Sequence, residues 1–99
     1  MIRGTTPTLE FILPFSTSVL EAAYVTLSQN EQIVLDKKLE DCKCEERKLS
    51  VRLTQEETLK LDCDCKTEIQ IRARTKEGDA VASSIITVNT NRILKDGVI

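Results

Sequence analysis

The sequence contains no histidine and no tryptophan, and it has only three glycines, two prolines, two phenylalanines and one tyrosine. Without histidine there is no Ser-His-Asp triad, no Cys-His pair and no histidine-containing metal site. Gly4, Gly78 and Gly97 are too scattered to form a phosphate-cradling loop. Three rings, Phe11, Phe15 and Tyr24, do not make a stacking platform for single-stranded nucleic acid. Positive charge is not concentrated either: the formal net charge is −2, and lysines and arginines are interleaved with acids along the chain. A nucleic-acid partner is therefore not expected.

Long apolar runs are also missing. The stretch from Leu9 to Phe15 is interrupted by Glu10 and Pro14, which makes it a poor signal-peptide core, and nothing approaches the length of a membrane span. The expectation is a protein synthesised in the cytoplasm, with no membrane partner and with thiols kept reduced.

What is present reads as a single domain over residues 1–99, 40% hydrophobic and 30% charged, in which alternation dominates. Leu9, Phe11, Leu13 and Phe15 share one face of a strand, and Pro14 places that strand at a sheet edge or its end at Pro14. Residues 18–28 admit two readings. Ser18 and Glu21 could cap a helix, whereas a turn followed by a strand puts Ala23, Val25 and Leu27 inward. The strand is preferred because the following segments are short and alternating. After a turn at Gln29-Asn30-Glu31, Ile33, Leu35, Lys37 and Leu39 alternate with polar positions.

Asp41 to Lys48 reads as a polar connection, Leu49 to Leu53 as a strand, and Thr54 to Glu57 as a capping box starting one helical turn near residues 55–60. Glu68 to Thr75 is the most regular alternation, with Ile69, Ile71 and Ala73 inward. Gly78 supplies a hairpin turn, and Ala80 to Val88 is the return strand. Six or seven short strands with turn signals every eight to twelve residues predict an all-β fold, an immunoglobulin-like β-sandwich. The tail, residues 91–99, is too apolar for a simple solvated end, with Ile93, Leu94, Val98 and Ile99 around Lys95-Asp96-Gly97.

Chemistry-bearing groups are few. Glu45/Glu46 and Glu56/Glu57 are sequence neighbours and read as solvated charges. Asp62-x-Asp64 fails as a calcium loop because Lys66, Thr67 and Ala73 stand where ligands and glycine are needed. Cys42, Cys44, Cys63 and Cys65 form two C-x-C pairs that could in principle hold zinc tetrahedrally. Zinc sites usually leave two residues between paired sulfurs, and the strand directions put the two pairs at opposite ends of the sandwich. A shared cage would have to span on the order of 17 Å, one strand length. Free cysteines and no cofactor are the preferred reading. Arg72, Arg74 and Lys76 line one outward face, diluted by Glu68, Glu77 and Asp79, and read as solvated.

Two ends and a middle segment carry a resemblance. Met1-Ile2-Arg3-Gly4-Thr5-Thr6-Pro7 with Phe11-Ile12-Leu13-Pro14-Phe15, then Leu53-Thr54-Gln55-Glu56-Glu57-Thr58-Leu59, then Ile93-Leu94-Lys95-Asp96-Gly97-Val98-Ile99 span nearly the whole chain. In these segments the chain resembles uncharacterised small prophage-encoded proteins of Gram-positive gut bacteria, found near virion structural genes. The C-x-C pairs lie outside that pattern. The resemblance implies only a context, that of a virion-associated tail, baseplate or head accessory; the expectation of a non-enzymatic protein rests on the missing catalytic groups. Sheet edges and apolar termini would contact protein partners or other copies. The alternative is a metal- or redox-responsive binding module built on the cysteines.

Overall fold

The computed structural model describes residues 1–99. Alternation of apolar side chains makes eight strands: β1 Thr8–Ile12, β2 Leu20–Gln29, β3 Gln32–Lys38, β4 Lys43–Glu45, β5 Lys48–Arg52, β6 Lys66–Thr75, β7 Ala80–Ala82 and β8 Ile86–Asn89. One helical turn, α1 Gln55–Leu59, lies between β5 and β6. The strands form two antiparallel sheets, one in the order β1-β5-β4, the other β3-β2-β6 with β7 and β8 sharing the far edge of β6. The fold is the expected all-β sandwich. Its strand order places the β2–β3 hairpin within one sheet, beside β6.

Every central strand buries the face its alternation marks. Ala23, Val25 and Leu27 of β2, Ile69, Ile71 and Ala73 of β6, and Leu49 and Val51 of β5 meet in one core with Leu53, Leu61 and Leu35. At roughly 1.5–3 kcal/mol for each large apolar side chain withdrawn from water, this layer is the main source of stability. Residues 18–28 follow the strand reading, with a 3-10 turn at Thr17–Val19 leading into β2. A helix there would have turned Ala23, Val25 and Leu27 to different sides and left β6 without its central neighbour.

The capping box closes as expected: Glu57 N–H donates to Thr54 Oγ1 at 3.1 Å, and Thr54 N–H donates to Glu57 Oε1 at 2.9 Å. The β2–β3 turn holds Asn30 and Glu31 at φ of 50° and 64°, the left-handed pair that a two-residue hairpin requires. Gly78 supplies the positive φ of the β6–β7 turn.

Four expectations need correction. Ile33 is 68% exposed rather than inward. Leu27 faces Leu35 but Ser28 faces Ile33, so Val34 is an extra residue in a bulge and the alternation slips there. The polar connection Asp41–Lys48 contains β4, which pairs with β5 through Lys43–Ser50, Cys44–Leu49 and Glu45–Lys48. Backbone pairing supplied the strand where side-chain pattern gave no sign of one. The return strand is broken, because β7 and β8 pair with β6 in registers one residue apart, leaving Ser84 and Ile85 opposite Gln70. Lastly, Glu57 is not a solvated charge. Its carboxylate meets Lys37 Nζ at 2.7 Å, with the two side chains 18% and 17% exposed.

Candidate docking groove

β1 reaches its sheet through alternate residues. Leu53 N–H donates to Pro7 O at 2.9 Å and Leu13 N–H donates to Arg47 O at 2.8 Å, so the odd-numbered backbone groups of β1 face β5. The N–H and C=O groups of Thr8, Glu10 and Ile12 therefore point away, along an open edge. On the opposite sheet, Thr75 N–H donates to Asp79 O and Ser83 N–H to Ile71 O, which turns the backbones of Ala80 and Ala82 outward by the same rule.

Between these two edges the sandwich is open. A groove of about 460 Å³ runs from Glu10–Phe15 on one side to Val81–Ser84 and Ile86 on the other, floored by Ile71 and Ala73. Large apolar groups stand on its rims, with Ile12 76% exposed and Ile86 49% exposed. Pro14 lies two residues past the end of β1, at an even-numbered position whose backbone nitrogen faces the open edge, where its missing N–H costs no bond to β5. The far end of the same seam is closed. Residues 1–3 lie beside the chain after β8, with Arg3 N–H donating to Asn91 O and Asn91 N–H to Met1 O. Arg3 also donates to the carbonyls of Leu61 at 2.6 Å and Leu59 at 2.9 Å, which fixes that closure over α1.

The other sheet edges are blunted. β4 has three residues, all exposed, two of them the ion pair Lys43–Glu45 at 3.0 Å. That bond to Lys43 holds the Glu45 carboxyl below its ordinary range. β3 carries the Val34 bulge and the charged run Asp36-Lys37-Lys38. Bulges, charges and short length are the usual protections against strand addition. On the groove side β7 is as short as β4 and the register breaks at Ser84 and Ile85, whereas the five-residue β1 has no bulge and a single charge, Glu10, 3.9 Å from Lys48.

The structure does not bring the four cysteines together. Cys42 Sγ donates to Lys38 O at 3.3 Å, where β3 ends, whereas Cys65 Sγ accepts from Asn30 Nδ2 at 3.3 Å, just before β3 begins. A seven-residue strand separates the pairs, on the order of 20 Å. Burial, with the charges of Cys44 and Asp41 adding and Lys37 opposing, pushes the Cys42 thiol up to about 11. Burial and the charge of Asp62 also raise Cys65. Neither is an activated nucleophile, since the reactive form is the thiolate. Asp62, Cys63 and Asp64 place three donor atoms within 4.8 Å of one another in a turn, where Asp62 Oδ1 already accepts the Asp64 N–H.

That turn is anchored by a residue that no sequence signal marks. Gln29, 6% exposed, donates to Asp62 O and accepts from Asp62 N–H, both at 2.8 Å, and donates to Thr67 Oγ1 at 3.1 Å. The tail follows its apolar reading in part: Ile93 packs beside Gly4, and Gln55 exchanges two hydrogen bonds with the backbone of Ile99. The side chains of Leu94 and Ile99 nonetheless stand 94% and 91% exposed. No helix is long and apolar enough to cross a membrane. Comparison with family models, curated proteins and solved structures gave no match to this chain.

Proposed function

We propose that this protein is a non-enzymatic interaction module, a virion accessory component of prophage origin, whose working part is the groove between β1 and the β7–β8 edge. The observation that carries this reading is the coincidence of an apolar groove with two open strand edges. An extended strand from a protein partner satisfies both requirements of that site. Its backbone pairs with the outward groups of Thr8, Glu10 and Ile12, and its alternate side chains enter the groove. Main-chain bonds then give affinity, and the groove around Phe11, Phe15 and Ile71 gives selectivity for apolar side chains. The virion setting rests on the resemblance of the two chain ends and the segment Leu53–Leu59. The four-cysteine metal module is set aside because its pairs sit at opposite ends of β3.

Photo-crosslinking tests the reading. p-Benzoylphenylalanine at position 12, on the groove rim, is compared with the same group at exposed Glu56, during co-expression with the virion proteins encoded nearby. A crosslink to one of those proteins at position 12 and not at position 56 is expected. Equal yields at the two positions, or none at position 12, overturns the groove as the docking site.

A further inference from the structure

The outer face of the larger sheet carries a second arrangement, independent of the groove. Register sets Lys38 of β3, Tyr24 of β2, Arg72 of β6 and Ala82 of β7 in one row across four strands. The adjacent row is Ala22, Arg74 and Ala80. The row on the other side holds Asp36, Thr26 and Gln70, and there the Asp36 carboxylate already accepts the Thr26 hydroxyl at 2.8 Å. Charges that alternate along the chain are thus sorted by strand pairing. Lys38, Arg72 and Arg74 gather around Tyr24, while Asp36 and Glu68 lie toward the other end of the face.

Within the cationic group the counter-charge is slight. Arg74 Nε is 3.6 Å from Glu21, both side chains being more than half exposed, and neither Lys38 nor Arg72 has an ion-pair partner. Small residues leave room beside the cations. Ala22 and Ala80 open a hollow of about 200 Å³ against Tyr24, Arg72 and Arg74. Tyr24 is 43% exposed at its wall.

We propose that this face binds an extended acidic peptide segment of a protein partner, with Arg72 and Arg74 taking alternate carboxylates and Lys38 supplying a third charge. Residues two apart on a strand repeat at about 7 Å, and alternate side chains of an extended peptide repeat at the same distance on one side. An arginine fork takes a carboxylate bidentately, so each arginine can hold one acid of such a peptide. Tyr24 packs against the aliphatic stretch of the bound segment. A nucleic acid fits less well, because its continuous charge would run on past the cations to Asp36 and Glu68, on a protein of net charge −2.

Tyr24 is the only tyrosine and there is no tryptophan, so intrinsic emission reports this site alone. The full chain is titrated with a short peptide alternating glutamate and serine, and in parallel with its lysine–serine counterpart, inorganic phosphate and oligothymidylate. A saturable change with the acidic peptide is expected, weakened by added salt and about tenfold weaker in the Arg72→Ala/Arg74→Ala double variant. Glu21→Gln, which frees Arg74, is expected to tighten binding about twofold and guards against a folding defect in the double variant. The proposal is overturned by no saturable change, by an undiminished response when both arginines are replaced, or by phosphate or oligothymidylate matching the acidic peptide. Because Ile12 and the groove are untouched by these variants, this result and the crosslinking result stand or fall separately.

Discussion

Replacing Glu57 examines how α1 is tied to the larger sheet. Its two carboxylate oxygens are both engaged, Oε2 with Lys37 Nζ at 2.7 Å and Oε1 with Thr54 N–H at 2.9 Å. A hydrogen bond to a charged group contributes about 1.5–3 kcal/mol, and capping interactions about 1 kcal/mol. The pair retains nearly a fifth of its solvent exposure, which reduces the first figure. Glu57→Ala is therefore expected to cost about 2–3 kcal/mol, lowering Tm by roughly 10–20 °C for a chain of this size. Part of that loss is the amine of Lys37 left without a partner, so Lys37→Met in the same background should recover some of it. In a double-mutant cycle of Lys37→Met and Glu57→Gln, urea unfolding followed by far-UV circular dichroism should give a coupling of about 1–2 kcal/mol.

The pH dependence has a definite sign. Burial acts to raise the Glu57 carboxyl, but the bonds from Lys37 and Thr54 outweigh it and hold the group below its usual 4.5. A depressed carboxylate stabilises the fold above its unfolded pKa and stops doing so as pH falls through the folded value. The stability difference between the parent and Glu57→Gln should be constant near neutrality and shrink once the pH drops below about 4.5. Additive single-variant effects, together with a difference unchanged from neutral to strongly acidic solution, would refute the argument.

Two further outcomes follow from local geometry. Glu31 occupies a left-handed position at φ 64°, so Glu31→Gly should raise stability by about 0.5–1 kcal/mol in thermal unfolding. A loss of stability would mean that the Glu31 side chain contributes more than its backbone strain removes. Cys42, with its thiol near 11, should be alkylated by iodoacetamide at pH 8 at least about tenfold more slowly than exposed Cys44. Peptide mapping that finds Cys42 modified first would contradict its partial burial and its bond to the Lys38 carbonyl.

Local side-chain pattern was enough to define the strands whose burial it marks. Val25 with Leu27, Leu49 with Val51 and Leu53, and Ile69 with Ile71 and Ala73 each announce one inward face, because side-chain alternation is a property of a single strand. The capping box at Thr54 and Glu57 is equally local, and so are the turns at Asn30-Glu31 and Gly78. The candidate groove was legible only in outline. Pro14 and the alternation of Leu9 to Phe15 marked β1 as an edge, but not what it would face.

What pairing decides was not readable in advance. The bulge at Val34 exposes Ile33, and β4 forms only because β5 offers it an edge. The break at Ser84 and Ile85 falls where two serines meet the β-branched run Ile85 to Val88, and the one-residue difference between the two registers on β6 is what reveals it. Glu57 lost its solvent because Lys37, twenty residues earlier, arrives beside it. The same reason governs Tyr24, Arg72, Arg74 and Lys38, which are dispersed in a chain of mixed charge and become neighbours only across three paired strands. Alternation fixes which side of a strand is buried, whereas the neighbour on each side is set by contacts between residues far apart in the chain, and those belong to the tertiary structure alone.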